Sequence, residues 1–186
     1  MKKLFKVVVT VCVALAFVQC SNSKFEVAKG KVGVITSETK VKDLETLFAK
    51  DSIVKVLSEG VKGNSFMQDD DEYLIYEKGG KHLLTVVPKE QLDEESTLKS
   101  VEIFDSRYKT EGGININSTF KDVNVNSSIS KVESSFTSAT LFIDELNSTI
   151  TIDKEELGLK QFSLQKVTLE QIPDLAKIKT FVVWFN

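Results

Sequence analysis

Two parts of the sequence repeat the same residue order about 80 positions apart. Near the start of each part the offset is 79 residues, and near the end of each part it is 80. Because the two ends agree to within one residue, we interpret the pattern as an internal duplication. The matched residues are Gly33, Ile35, Val41, Lys42, Asp43 and Leu44 with Gly112, Ile114, Phe120, Lys121, Asp122 and Val123, and 98–104 with 178–184.

In the first copy, apolar residues at helical spacing from Val41 predict an amphipathic helix that continues to Lys50. A hairpin follows, with strands 73–76 and 82–87 on either side of Gly79 and Gly80, and a third strand is expected at 98–104. Between the helix and the hairpin, the apolar residues of 53–57 fit either a second helical segment or a strand. Each copy is therefore expected to be a helix with a three-stranded antiparallel meander.

The second copy carries the same elements with weaker signals. Its helical segment contains Asn124 and Asn126, so the helix is expected to start near Ile129 or to have only one or two turns. A hairpin is predicted at 141–152, and the last strand at 178–185.

The fold class expected from these elements is α+β, with two tandem helix-plus-antiparallel-meander modules after an N-terminal lipoprotein signal peptide. The predicted boundaries are 1–19 for the signal peptide, 20–30 for a lipidated tether, 31–110 for the first module and 111–186 for the second. A single three-stranded meander is thin for independent stability, so the two modules are expected to share a core.

The first two dozen residues have the order of a secretory signal. Lys2, Lys3 and Lys6 precede an uncharged run from Val7 to Val18, and a polar segment follows it. A bilayer-spanning helix needs about 20 apolar residues, which disfavours a permanent transmembrane anchor here.

Residues 16–20, Ala-Phe-Val-Gln-Cys, resemble the lipobox of bacterial lipoproteins. The resemblance implies that Cys20 is acylated and becomes the first mature residue. The alternative is cleavage after Ala16, which would leave Cys20 as a free thiol. By the same resemblance, Ser21 in place of Asp favours the outer membrane over the inner membrane. Few acidic residues follow Cys20, which favours a periplasm-facing protein over a surface-exposed one.

Removal of the signal leaves an acidic chain without a cysteine framework. The chain has 24 Lys and Arg and 27 Asp and Glu, and loss of three lysines with the signal gives a net charge of −6. No run of basic residues accompanies this charge, so nucleic acid is not expected as a partner. Cys12 leaves with the signal, so the mature chain is expected to contain no disulfide.

The residues that could carry chemistry form no catalytic or metal-binding pattern. His82 is the only histidine, and its position beside a Gly-Gly turn is typical of a structural or exposed side chain. The acidic run 69–72 lacks the spaced frame of a calcium loop, and no glycine-rich phosphate loop is present. We therefore expect no catalytic residues, no metal, no cofactor and no enzyme activity.

Asp51-Ser52-Ile53 resembles the acceptor of the O-glycosylation system that modifies exported Bacteroidota proteins. The resemblance makes Ser52 a candidate O-glycosylation site. The alternative is that Ser52 caps the segment that follows it.

The order of elements resembles the tandem architecture of β-lactamase inhibitory proteins and the single module of SmpA/OmlA-type outer-membrane assembly lipoproteins. The Cys-Ser-Asn-Ser start at residue 20 and the entry Lys31-Val32-Gly33 look like uncharacterised Bacteroidota-type lipoproteins. These likenesses rest on element order and carry no functional residue over to this chain.

The function expected from these observations is that of a lipid-anchored, non-catalytic binding or adaptor protein of the cell envelope with a protein partner. Tyr73, Tyr76 and Tyr108 are candidate anchors for that partner. The alternative is a periplasmic inhibitor of a hydrolase, in analogy with the tandem inhibitory fold. A third hypothesis, a hydrolase, requires a cleft with at least two acidic residues of raised pKa.

Overall fold

A computed structural model describes residues 23–58, 70–160, 162 and 165–185. The predicted signal peptide, residues 1–19, and Cys20 lie outside these residues. Among the helices of the described part, none has the length and apolar character needed to cross a membrane.

The described chain is α+β and mostly β, with two short α-helices and two antiparallel sheets. We number the helices α1 (Leu44–Leu47) and α2 (Phe120–Asn126). The strands are β1 (Val27–Ala28), β2 (Lys31–Val32), β3 (Ile35–Thr36), β4 (Ser52–Val56), β5 (Glu72–Tyr76), β6 (His82–Pro88), β7 (Leu98–Ile103), β8 (Lys131–Ser134), β9 (Ser138–Ile143), β10 (Ser148–Asp153) and β11 (Thr180–Trp184).

The first three strands form a small sheet, and the other eight form one sheet in the order β4-β5-β6-β7-β11-β10-β9-β8. Strands β4 to β7 pair in chain order, as do β8 to β11, so each half of the chain contributes a four-stranded meander. The two meanders meet where β7 pairs with β11, with Glu102 opposite Val182. The last strands of the two halves therefore join them into a continuous sheet.

Alternation along the strands buries one face of the large sheet. On that face the helices, the small sheet and the loop before β11 cover the strands, as the burial of Val41, Phe120 and Ile178 shows. Full burial of each large apolar side chain contributes about 1.5–3 kcal/mol, so this layer dominates stability. The buried side chains of the sheet include Tyr73, Ile75, Leu84, Val86, Val101, Ile103, Leu141, Ile143, Ile150, Ile152, Phe181 and Val183.

The first helical segment is shorter than predicted. A 3₁₀ turn, Val41–Asp43, leads into α1, which ends at Leu47 instead of Lys50. The helical spacing was nevertheless correct, because Val41, Leu44 and Phe48 all point into the core. β4 begins at Ser52, so the chain turns directly from the helix into the sheet.

The second helix begins nine residues before the predicted start at Ile129, so that prediction was wrong. The alternative of one or two turns fits α2, which has seven residues. Thr119 caps α2, since its hydroxyl oxygen accepts from the Asp122 amide at 3.4 Å while its own amide donates to the Asp122 carboxylate at 2.8 Å. A Thr followed three residues later by an acidic residue is the capping-box pattern that marks this start.

Each meander has four strands where the sequence predicted three. Residues 52–56, which fitted helix or strand equally, form β4 and pair with β5. Residues 131–134, for which no strand was predicted, form β8 and pair with β9. Both are outer strands of the sheet with exposed residues, so β4 lacks the strict alternation of a half-buried strand and β8 has one apolar residue, Val132.

The two halves also share a set of hydrogen bonds 79 or 80 residues apart. In both, the residues that open the helical segment donate to carbonyls of the loop before the last strand. Turn and cap contacts recur in the same way. In the first matched pair, Val41 N donates to Ser96 O (3.0 Å) and Phe120 N to Ala176 O (2.8 Å). In the second, Lys42 N donates to Glu94 O (3.0 Å) and Lys121 N to Asp174 O (3.0 Å). In the third, Thr36 N donates to Thr39 Oγ1 (2.9 Å) and Asn115 N to Ser118 Oγ (3.1 Å).

Candidate functional site

The face of the large sheet opposite the core is in contact with solvent, and we name it the open face. Its side chains are mostly half-exposed, whereas their neighbours along each strand are buried. The pairing registers arrange these side chains in rows across the sheet. From β4 to β8 the middle row is Val54, Leu74, Thr85, Glu102, Val182, Thr149, Phe142 and Lys131.

The half of the open face that belongs to β4–β7 carries an aromatic stack. The His82 ring lies between Tyr76 and Phe104, with centroid separations of 4.7 and 3.9 Å and interplanar angles of 22° and 20°. Cross-strand aromatic contacts of this kind contribute about 0.5–1.5 kcal/mol each. The stack holds three rings in fixed positions, and Phe104 remains 40% exposed.

His82 is used in packing. Its Nε2 atom lies 3.1 Å from the Leu84 carbonyl oxygen and 3.1 Å from the Thr85 hydroxyl. Burial lowers the pKa of His82, and the contact with the Leu84 carbonyl opposes that change. The imidazole is therefore neutral at pH 7, with this nitrogen occupied by its own strand.

Two carboxylates, Glu72 and Glu102, lie on the same half of the open face, and the charge of Glu72 affects the pKa of Glu102. Burial raises the pKa of Glu102, and the negative charge of Glu72 adds to the rise. Glu102 lies at the junction of the two meanders, opposite Val182. Among the described carboxyl groups whose pKa shifts are resolved, Glu102 is the one with a raised pKa. The hydrolase hypothesis requires at least two acidic residues with a raised pKa. Among the described residues with a resolved shift, Glu102 alone meets that condition.

The half of the open face that belongs to β8–β11 is richer in threonine. The hydroxyls of Thr151 and Thr180 lie 2.6 Å apart across two strands. Trp184 is half-exposed, and its indole Nε1 donates to the Thr149 hydroxyl at 3.1 Å. This half therefore presents a flatter and more polar surface beside one large aromatic side chain.

Of the three predicted tyrosine anchors, the structure places one on the open face. Tyr76 is half-exposed there. Tyr73 and Tyr108 are only 5% and 2% exposed, so their prediction as exposed anchors was wrong. Tyr73 is one of the alternate residues of β5 whose side chains point into the core. Tyr108 packs against Phe25, with ring centroids 5.0 Å apart.

The acidic run at 69–72 does not form a cluster in its described part. Asp70 pairs with Lys99 at 2.7 Å, and Glu72 lies on the open face. Asp71 is buried and accepts hydrogen bonds from the amides of Ser58 and Leu92 at 2.7 and 2.6 Å. Burial opposes ionisation of Asp71, but these donors lower its pKa overall. Asp69 lies outside the described residues.

Ser52, the candidate O-glycosylation site, is exposed at the start of β4 and lies opposite Tyr76. Its hydroxyl side chain therefore belongs to the open face at an outer strand. Cys20, the candidate lipidation site, lies outside the described residues. Both modifications stay predictions.

Two pockets in the described part are small. One of about 80 Å³ lies between α1 and the sheet and is lined by Val41, Leu44 and Tyr73 among others. A second, of about 250 Å³, lies beside α2 at Phe120 and Ile172. Sites for drug-sized ligands usually have about 300–1,000 Å³. Within 23–58, 70–160, 162 and 165–185, no three His, Cys, Asp or Glu residues are placed to hold a metal ion.

Sequence reasoning missed Leu74, Glu102, Phe104 and Trp184 as residues of the open face. The signal that could have found them is the alternation of side chains along a strand. Because Val101 and Ile103 point into the core, Glu102 and Phe104 must point to the opposite face. The same alternation places Trp184 on the open face.

Comparisons with known proteins bear on the fold. No known protein family matches this sequence, and no curated protein matches it. A similar solved structure is the crystal structure of the uncharacterized protein yfeY from Escherichia coli, at 10% sequence identity and a TM-score of 0.57. The match covers 86% of this chain and 99% of that chain. The fold of this protein is therefore similar to that of yfeY over nearly the whole of the latter.

Proposed function

We propose that this protein is a lipid-anchored, non-catalytic binding protein of the cell envelope that uses the open face to bind a protein partner. The observation that carries the proposal is the set of exposed or half-exposed apolar and aromatic side chains on the open face, which are Val54, Leu74, Tyr76, Phe104, Phe142, Val182 and Trp184. Contiguous exposed apolar surface on a soluble domain is typical of interaction sites.

The exposed residues of the open face have the composition of an interface centre. Val54 and Phe104 are 49% and 40% exposed, and Tyr76 and Trp184 are half-exposed. Aromatic side chains dominate the energetic centres of protein interfaces. The stack on His82 and the hydrogen bond of Trp184 already fix three of these rings, so binding would lose little side-chain entropy.

The non-catalytic part of the proposal is supported by the environment of the ionisable groups. His82 is held by its own strand, and Glu102 lies on an open sheet surface with Glu72 as its acidic neighbour. The hydroxyl beside the imidazole, that of Thr85, belongs to a side chain that is only 7% exposed, so it is not open to a substrate as a covalent nucleophile must be.

The membrane anchor in the proposal is a diacylglyceryl group on Cys20 that holds the protein at the outer membrane, facing the periplasm. It is supported by the signal sequence and lipobox of residues 1–20. The intact mass of protein purified from its native membrane, compared with a Cys20→Ala variant, tests it. An acyl mass on a chain that starts at Cys20 is expected, and an unlipidated chain cleaved after Ala16 would contradict it.

We further propose that the two halves are tandem modules produced by duplication, with boundaries near 31–110 and 111–186. The sequence offset of 79 or 80 residues and the matched hydrogen bonds of the two halves support this. So does the sheet order, in which the equivalent strands β7 and β11 pair with each other about an axis at Glu102 and Val182. A symmetric junction of this kind presents one open face from two copies.

Affinity capture from detergent-solubilised envelopes after crosslinking tests the binding surface. Val54→Glu and Thr140→Arg place a charge on each half of the open face without touching the core. The matched control is Val125→Glu, because Val125 is 72% exposed but lies on α2 in the layer on the other side of the sheet.

We expect a partner that wild type and the Val125 variant capture equally, and whose recovery falls at least about fivefold in one or both face variants. A loss of about 1 kcal/mol at an interface centre corresponds to a change of this size. Equal capture by all four proteins, or recovery of free protein alone, would remove the open face as the binding site.

A further inference from the structure

Phe25 and Val27 fix the start of the described chain to the folded body. The Phe25 ring packs edge-on against Tyr108, with centroids 5.0 Å apart and an interplanar angle of 83°. Lys109 donates its amide to the Phe25 carbonyl at 3.0 Å and accepts from the Val27 amide at 2.9 Å. These contacts attach the first described residues to the segment that follows β7.

Only two residues separate Cys20 from Ser23. Three extended residue steps span at most about 11 Å, since each step adds up to about 3.6 Å. A lipid on Cys20 would therefore hold Ser23 within about 11 Å of the acylated residue, with Phe25 one 3₁₀ turn further on, which keeps this part of the body close to the bilayer surface.

Three segments meet around Phe25, and together they are basic. The Arg107 guanidinium lies 4.9 Å from the Phe25 ring centroid and bonds to Glu77 at 2.8 Å. Lys81 reaches the buried Asp105 at 2.9 Å, which joins the turn between β5 and β6 to the same site. We name residues 23–31, 77–81 and 105–109 the basic pole.

The basic pole has a charge opposite to that of the rest of the protein. Its three segments contain seven Lys and Arg against three Asp and Glu, a net charge of +4. The remainder of the chain from residue 20 has fourteen basic and twenty-four acidic residues, a net charge of −10. The turn at 48–51, near Tyr108, contains one lysine and one aspartate, so it does not change the net charge of this region. The exposed cations of the pole are Lys24, Lys29, Lys78, Lys81, Arg107 and Lys109.

The aromatic stack borders the basic pole. Tyr76 precedes Glu77, His82 follows Lys81, and Phe104 precedes Asp105, so each ring adjoins a segment of the pole. Phe104 is 40% exposed at this border. Exposed aromatic rings beside lysine and arginine are the side chains that favour the interface between water and lipid.

We propose that the basic pole is the membrane-facing surface of this protein and that it contacts anionic lipid headgroups. The inference rests on the proposed lipid anchor at Cys20, which would deliver the pole to the bilayer. Opposite charges then orient the molecule, because the pole is attracted to the anionic surface and the acidic remainder is repelled. The opposite ends of β5 and β6, at Glu72 and Pro88, are left pointing away from the membrane for a partner.

The first experiment measures the attraction without an anchor. The protein used is a chain that starts at Ser21, which keeps every residue of the described core. Its sedimentation with vesicles of 30% phosphatidylglycerol in phosphatidylcholine is compared with its sedimentation with vesicles of pure phosphatidylcholine. The variant Lys24→Glu, Lys78→Glu, Lys109→Glu is matched to Lys121→Glu, Lys160→Glu, Lys177→Glu, since all six lysines are exposed. Each basic residue near an anionic surface contributes about 1 kcal/mol, so reversal at the pole should weaken partitioning at least about tenfold. Equal loss in both variants would refute the proposal.

The second experiment reproduces the anchor. A chain that starts at Cys20 has one thiol, which is coupled to a maleimide lipid in the same two kinds of vesicle. Lysine acetylation is then followed by peptide mass spectrometry. We expect acetylation of Lys24, Lys29 and Lys78 to slow at least about threefold on anionic vesicles, with Lys121 and Lys177 unchanged, and 0.5 M NaCl to remove the difference.

Uniform acetylation of all five lysines would overturn the proposed orientation. So would equal protection on both kinds of vesicle, or the same protection by inorganic phosphate or a short single-stranded DNA without vesicles. Because the coupled lipid replaces the native one, these results do not depend on whether Cys20 is acylated in the cell. The intact mass decides that question separately.

Discussion

Asp105 connects the end of β7 to the basic pole, and its replacement by Asn is the most informative single perturbation. The side chain is fully buried, yet its carboxylate contacts two exposed cations. Arg107 donates from its amide and Nε at 2.9 and 3.0 Å and from Nη2 at 2.6 Å, and Lys81 lies 2.9 Å away.

The magnitude follows from the pKa of this carboxyl. Burial alone would raise the pKa of Asp105, but the bonds from Arg107 and Lys81 outweigh it and lower the pKa from 3.8 to about 2. One pKa unit corresponds to 1.36 kcal/mol, so the ionised form contributes about 2 kcal/mol of stability at pH 7. In Asp105→Asn the cations stay solvated and one acceptor oxygen remains, so we expect a loss of about 2 kcal/mol, below the 3–5 kcal/mol typical of a broken buried pair.

Urea unfolding between pH 7 and pH 2 measures both quantities. Because the folded pKa of Asp105 is depressed, its contribution is complete above about pH 4 and disappears as the pH falls toward 2. The variant should lack this part of the pH dependence. Asp153→Asn is the matched control, since Asp153 pairs with Lys179 at 2.8 Å but is 32% exposed, and its loss should cost at most about 1 kcal/mol.

A loss in Asp105→Asn no larger than in the control would show that the buried carboxylate is not stabilised by its cations. An unchanged slope of stability against pH below pH 4 would show the same. Either result would refute the reasoning that joins the pole to the end of β7.

Three further predictions address the N-terminal attachment, the second helix and the aromatic stack. Gly33→Ala should lower the free energy of unfolding by at least about 2 kcal/mol, because φ is +60° and a Cβ would lie 2.5 Å from the Lys24 carbonyl oxygen and 2.8 Å from the Tyr108 ring. Urea unfolding and hydrogen exchange at the N-terminal segment measure this change. Thr119→Ala should cost about 1 kcal/mol in urea unfolding by loss of the helix cap. His82 should titrate below 6.5 by NMR, and because its folded pKa is lowered, stability should fall as the pH drops below 6.5; a titration at or above 6.5 would contradict burial as the cause.

The hairpins could be predicted because their signals are local. Strands 73–76 and 82–87 were placed by alternation and by the Gly79-Gly80 turn, and both glycines adopt positive φ there. The hairpin at 141–152 and the last strand were placed in the same way and agree with β9, β10 and β11. A period of two residues and a tight turn need no information from distant parts of the chain.

The outer strands and the second helix were harder because their signals depend on their neighbours. β8 has one half-buried apolar residue, Val132, and gains its strand conformation by pairing with β9. The asparagines after Val123 suggested a late helix, but the cap at Thr119 and the amide bonds of Phe120 and Lys121 to the loop before β11 fix an early one.

Burial of individual tyrosines depended on packing between distant segments. Tyr108 was expected to be exposed, but Phe25 covers it from 83 residues away in the chain. Tyr73 and Tyr76 are three positions apart, and only strand parity decides which of them faces the core.

The sequence by itself determined the fold class, the hairpins and the repeat of element order, since alternation, turns and spacing are properties of short stretches of chain. The tertiary structure decided how these elements act together. Pairing of β7 with β11 makes one sheet with a single open face from two meanders. Packing of Phe25 against 105–109 gathers three short segments, none of them a basic run, into a pole of net charge +4. Charge adds through space, so a surface assembled from separated segments has no signature along the chain.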